Sequence, residues 1–350
     1  MIGAIEECQE RNTAMTNRVG QLSPRWQMAL ALVTLYVVWG STYLGIRLAI
    51  ETMPPFLMAS ARFLIAGGVL YTWMRLRGVP NPTRLHTRSG LIIGGLLLLG
   101  GNGGVTWSEQ YVPSGLAAVM IGAVPIWTVL LDWLLFGAQR PTRRVALGLS
   151  GGLLGVGLLA GPGTLFGGQS FNTLGIVALL VATLTWSVGS LYSRRAPLPR
   201  VPLMATGLEM LAGGFWLGLA GTLTGEWSAL DVGAISLKSA LALVYLAVFG
   251  SLLGFTAYVW LLRHTTPARA TSYAYVNPVV ALALGWALAG EDVGARTIIA
   301  AAIIIGSVVL ITSSRGQSAV RDGAAFEPAS EPAPPQASVT AQAVGSMSCD

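Results

Sequence analysis

Two ionisable side chains sit where hydropathy alone places apolar ones. Arg62 and Glu209 lie on the order of 10 Å inside long apolar runs at 1.5 Å of helix rise per residue. Charge at that depth costs several kcal/mol unless it is paired or hydrated. Each is therefore a candidate for function: Glu209 as proton carrier or cation counter-ion, Arg62 as binder of a carboxylate or phosphate. Small-residue stretches flank both, Ala66-Gly67-Gly68 and Ala212-Gly213-Gly214, which also suits residues that lock helices together. Glu109 is a second candidate for proton coupling, because the polar residues Asn102, Thr106, Ser108 and Gln110 surround it in sequence. Asp132 and Arg47, near span ends, read as interfacial residues whose charges snorkel to water.

Uncharged polar and aromatic groups at depth offer hydrogen bonds and ring faces to a bound solute. In the first half these are Trp39, Ser41, Tyr43, Asn102 and Trp107; in the second, Trp186, Tyr192, Tyr273, Tyr275 and Asn277. Each can equally serve packing. Pro125 and Pro278 interrupt apolar runs at matching places, and in a transporter paired interruptions point to a binding site or gate. Gly148, Gly151, Gly152 and Gly155, like Gly214 and Gly218, are spaced for close helix packing, within one chain or in a homodimer.

Other chemistries lack their residues. Cys8 and Cys349 lie in polar tails, and His86 and His264 adjoin basic loops, so neither a metal site nor a buried nucleophile and base is expected. No GxxxxGK[ST] motif supplies an ATP site, and no cofactor is implied.

The elements that carry these residues must be membrane helices. Of 350 residues, 53% are hydrophobic and only 10% charged, too few charges to coat a soluble globule. Cutting the chain into runs of about 20 apolar residues, the length that spans a bilayer core, predicts an all-α integral membrane protein of about ten transmembrane helices. The runs fall near 27–50, 55–74, 90–111, 113–137, 143–161, 172–193, 202–225, 236–262, 267–290 and 294–313, with the first a retained span rather than a cleaved leader. Residues 1–26 and 314–350 read as tails, the second disordered. Arginines concentrate in alternate connections: Arg75, Arg77, Arg84 and Arg88, then Arg140, Arg143 and Arg144, then Arg194, Arg195 and Arg200, then Arg263 and Arg269. The positive-inside rule then places both termini in the cytoplasm, and topology rather than nucleic acid explains the net charge of +6.

The chain also repeats. Pro113 leading to Pro125 is echoed by Pro267 leading to Pro278, and Trp39-Gly-Ser-Thr-Tyr43 by the looser Trp186-Ser-Val-Gly-Ser-Leu-Tyr192. Two halves result, 27–161 and 172–313. Five spans are an odd number, so the halves are inverted about an axis in the membrane plane, the architecture of alternating access.

The tandem halves, the Trp39-to-Tyr43 start, Asn102-Gly103 followed by Pro113-Ser114-Gly115, and Ser272 through Val279 resemble the EamA-type family of the drug/metabolite transporter superfamily over about residues 27–313. The resemblance implies a bacterial cytoplasmic (inner) membrane transporter that exports amino acids, nucleosides, cationic drugs or similar metabolites, usually with the proton gradient as drive. The Gly-Glu pair that closes the fourth helix in many such proteins stands here only as Gly290-Glu291; the first half has Gly137-Ala138. The expected partners are the lipid bilayer, a small-molecule substrate and protons. A lipid-carrier flippase on the same fold is the alternative reading, with a membrane sensor or intramembrane enzyme less favoured.

Overall fold

The computed structural model describes residues 24–112, 120–160, 173–280 and 294–313. Most of the expected tails, the Pro113-Ser114-Gly115 motif and the Gly290-Glu291 pair lie outside them. Among the described residues every regular element is helical. Six helices are long and apolar enough to cross a membrane: α1 (residues 24–49), α2 (Pro55–Leu76), α3 (Arg84–Ser108), α6 (Thr173–Ser193), α7 (Pro202–Leu223) and α8 (Leu237–His264). Shorter or divided segments complete the bundle: α4 (Val124–Leu135), α5 (Arg143–Ala160), α9 (Pro267–Ala270, resuming at 273–280) and α10 (Ala295–Ser313). Large apolar side chains such as Leu64, Val69, Val177, Phe215 and Leu241 point outward, where lipid solvates them at no cost. An all-helical backbone satisfies its own hydrogen bonds in that medium.

Local chemistry sets the helix starts. Pro55 and Pro202 occupy first-turn positions, where a missing N–H costs nothing. The Glu226 carboxylate accepts from the Phe56 and Leu57 amides at 3.1 and 2.9 Å, an acid placed at the positive end of α2. Thr83 and His86 form a reciprocal cap, so α3 begins at Arg84 rather than at residue 90. Arg84 and Arg88 thus stand on its first turns instead of in a loop.

Helices pair with their counterparts in the other half. α2 packs on α7 through glycines: a Cβ on Gly67 would stand 2.8 Å from the Leu211 amide nitrogen, and one on Gly214 would stand 3.0 Å from that of Leu64. α5 packs on α10 in the same way, Gly148 against Ile311 and Gly155 against Ile304. The glycine spacings of α5 and α7 are therefore used within the chain.

The helix irregularities differ from expectation. The run around Pro125 does not bend at the proline; turn residues Gly122 and Ala123 precede α4, and Pro125 sits in its first turn. In α9 the break falls at Thr271 and Ser272, ahead of Pro278. Pro125 thereby falls in the first turn of a new helix, where a missing N–H costs nothing, whereas Pro278 is the sixth residue of its segment, past that turn. The larger departures lie in α3 and α8, where Gly94–Gly103 and Leu246–Phe255 adopt π-helical hydrogen bonding at equivalent places in the two halves.

Candidate functional site

A cavity of about 80 Å³ lies at mid-bundle between the two halves. The first half supplies Trp39, Tyr43, Arg62 and Asn102 to its wall, and the second supplies Trp186, Tyr273 and Asn277. The other sequence candidates stand apart. Ser41 bonds to the Tyr245 hydroxyl and the Val38 carbonyl. Trp107 packs on Tyr111, with ring centroids 4.8 Å apart, toward the end of α3. Tyr192 is partly buried against the core. Tyr275 is fully buried against Gly152 of α5, its hydroxyl donating to the Leu149 carbonyl at 3.1 Å.

The π segments and the tryptophans explain each other. Trp39 of α1 lies against Gly254 in the π segment of α8, and Trp186 of α6 against Gly101 in that of α3, where a Cβ would come within 2.6 Å of the indole. Each half thus wedges the tryptophan of its first helix into the third helix of the other. Re-registered π turns release carbonyls from the α-helical ladder, and one of them, at Gly250, accepts the Trp39 indole N–H at 3.0 Å. Trp39, Trp186 and Tyr273 meet with Tyr258 in a four-ring cluster, with ring centroids 4.7 Å apart for Trp39–Tyr273, 5.6 Å for Trp39–Trp186 and 5.2 Å for Trp39–Tyr258. The Trp186 indole donates to the Tyr258 hydroxyl at 2.9 Å, and Ser190 shares that hydroxyl at 2.6 Å.

The cluster supplies three rings, those of Trp39, Trp186 and Tyr273, to the cavity wall. From it the wall runs past Tyr43 and Asn102 to Ile46 and Val105, toward the end of the bundle where Arg47 acts electrostatically on Glu109. Beyond the rings in the opposite direction, the Tyr36 hydroxyl bonds to Ser272 at 2.8 Å, and Arg195 bridges to Asp132 at 3.1 Å. Asp132 thus has a partner, Arg195, that its place near a span end does not reveal.

Polar groups on the wall are incompletely matched. Arg62 donates from Nε to the Ser251 hydroxyl at 2.7 Å. Neither salt bridge among the described residues involves it. The side-chain oxygens of Asn102 and Asn277 are buried without a hydrogen bond. Glu209 does not line this cavity. It is fully buried in α7, both carboxylate oxygens lack hydrogen-bond partners, and the charge of Arg263 acts on it from α8. Arg62 and Glu209, equivalent in depth along the sequence, thus have different surroundings: one faces the void and the other the packed interior.

The family model for the EamA-like transporter family matches the chain twice, over residues 26–161 and 173–313. The chain belongs to the EamA-like transporter family. The EamA chain is 44% identical over 285 residues to the uncharacterized inner membrane transporter YedA of Escherichia coli (strain K12), covering 81% of this chain and 89% of that one. It is 24% identical to the uncharacterized transporter YvbV of Bacillus subtilis (strain 168), covering 86% and 96% of the two chains. A crystal structure 22% identical in sequence superposes with a TM-score of 0.66, covering 81% of this chain and 96% of the other, a likeness in fold alone. Membership makes this a multi-helix membrane transporter built from two EamA repeats.

Sequence reasoning missed several parts of the EamA site. Tyr258 and Ser251 sit in the apolar run of α8 with no motif to mark them; their signal is a buried hydroxyl that needs a partner. Thr42 lies inside the Trp39-to-Tyr43 motif, and nothing in its residue type sets it apart there. Gly250 and Gly254 carry no side chain and matter only through what approaches them.

Proposed function

We propose that this chain exports a small organic solute across a bacterial cytoplasmic membrane by alternating access, with both termini in the cytoplasm and protons as the coupling ion. The observation that carries the reading is the reciprocal wedge: two inverted halves each lodge a tryptophan in the other's π segment around one shared cavity. Exchanging the conformations of the halves transfers the opening from one end of that cavity to the other. In the present conformation the ring cluster and the Asp132–Arg195 bridge close the end expected to face the cytoplasm. Trp39, Tyr43, Arg62, Asn102, Trp186, Tyr273 and Asn277 contact the solute. Glu209 carries the coupling proton from a site behind the wall, within the electrostatic reach of Arg263 and Tyr258.

The test is an untargeted comparison of medium and cytosol from cells expressing the wild type, Glu209→Gln or an empty vector. A compound enriched outside and depleted inside only with the wild type supports export and names the solute. Identical profiles from a folded, membrane-inserted protein argue against export of abundant metabolites, and enrichment of a lipid carrier in the outer leaflet turns the reading to the flippase.

The bridge makes a separate prediction. Arg195 is nearly half exposed, so a pair of this kind contributes at most about 1 kcal/mol, a population shift of up to roughly fivefold. In a background with Cys8 and Cys349 replaced by serine, Ile46→Cys is expected to react more slowly with an impermeant maleimide from the extracytoplasmic side once Asp132→Asn is added. Labelling unchanged from both sides reduces the bridge to a surface contact.

A further inference from the structure

We propose that the solute carries an anionic head, a carboxylate or a phosphate ester, which seats on the guanidinium of Arg62. This rests on the transport reading of the cavity but concerns only what binds there. Arg62 lines the cavity and is 3% exposed. Its hydrogen bond to Ser251 engages Nε alone, and neither terminal nitrogen has a hydrogen bond among the described residues. No carboxylate there lies within bridging distance of it or acts on its charge. The Phe63 ring lies 4.7 Å beneath the guanidinium carbon, a face that steadies the plane of the fork without neutralising it.

A buried cation without a counter-ion is costly, and a bound anion offsets that cost. The guanidinium fork is shaped for carboxylate or phosphate oxygens, which it can hold in two parallel charge-assisted bonds. Gly250 keeps it in place: a Cβ there would come within 2.8 Å of a terminal guanidinium nitrogen and 3.0 Å of the Thr42 methyl. The remainder of the wall describes the rest of the solute. Two unbonded amide oxygens, on Asn102 and Asn277, call for N–H or O–H donors. The rings of Trp39, Trp186 and Tyr273 offer faces to an apolar, preferably planar, body. A cation with no anionic group would meet Arg62 at close quarters and is disfavoured.

Purified protein in detergent, with no gradient imposed, is titrated with phenylacetate, phenylacetamide, phenethylamine, phenyl phosphate and lysophosphatidate, and its melting temperature is followed. Phenylacetate or phenyl phosphate is expected to stabilise the wild type at concentrations at least tenfold lower than the matched amide or amine. Arg62→Met is expected to abolish that preference and Arg62→Lys to retain part of it. Gly250→Ala, which keeps the charge but displaces it, is expected to weaken the same anion severalfold and serves if Arg62→Met does not fold. Stabilisation by lysophosphatidate alone, lost in Arg62→Met, supports the anion site and assigns its head to a lipid. No preference of any anion over its neutral partner, or a preference that survives Arg62→Met and Gly250→Ala, overturns the proposal. Binding is read without transport, so failure of the export experiment and failure of this one are separate outcomes.

Discussion

Gly67→Leu is expected to leave little folded protein, while Gly68→Leu, one residue along the same helix, is expected to behave as wild type. A Cβ on Gly67 would stand 2.8 Å from the Leu211 amide nitrogen, 2.8 Å from the Met210 Cβ and 2.9 Å from the Gly207 carbonyl oxygen. Two of those three atoms are backbone of α7, so relief requires moving the whole helix. Overpacking in interiors typically costs 1–3 kcal/mol and occasionally more, and a larger side chain against backbone belongs at about 3 kcal/mol or above. In lipid, where no hydrophobic force drives helices together, close glycine contact contributes much of the association. Gly68 has nothing within 4 Å of its added Cβ, so its replacement is expected to change stability by no more than about 0.5 kcal/mol. Size-exclusion profiles and thermal melts of the two variants after extraction in mild detergent decide the matter. Equal melts would mean that α2 and α7 do not meet along this stripe.

Glu209→Gln is expected to reduce gradient-driven transport by at least tenfold without lowering the melting temperature. The carboxylate is fully buried and receives no hydrogen bond, so a neutral amide of the same shape removes a desolvation cost and breaks no direct contact. Arg263 acts on it electrostatically but does not bridge it, and a buried Arg263 nitrogen also lacks a partner. The amide cannot accept and release a proton at any accessible pH. In proteoliposomes loaded with the solute named by the export comparison, wild-type rates are expected to follow the imposed pH gradient while the variant runs at the ungraded exchange rate. A variant whose transport responds to the gradient as strongly as the wild type removes Glu209 from the coupling path.

Both predictions use residues that the sequence marked, but for reasons it did not contain. Gly67 stood out only as part of a small-residue stretch beside Arg62; that it, and not Gly68, touches α7 depends on how the two helices are rotated against each other. Glu209 and Arg62 looked like equivalents because their depth is the same. Depth follows from counting along the chain, whereas what a side chain faces follows from neighbours distant in sequence. The prolines illustrate the same limit. Their positions are legible and paired, yet the breaks fall at Gly122 and Ala123 and at Thr271 and Ser272, ahead of both rings, and only Pro125 then lies in the first turn of its helix. The π segments had no sequence signature at all, since their register shift answers tryptophans from the opposite half.

The sequence by itself determined the membrane class, the helical architecture and the family, because burying a backbone in lipid leaves few solutions and each demands a long apolar run. Its duplication is also a property of the chain alone. Only the tertiary structure decided which polar residues share a cavity, which glycines are contacts, that Asp132 has Arg195 as its partner, and that Arg62 has no carboxylate partner among the described residues. Those are relations between segments far apart in sequence, fixed when two halves pack against each other, and composition and periodicity along a single strand of text do not encode the angle at which they meet.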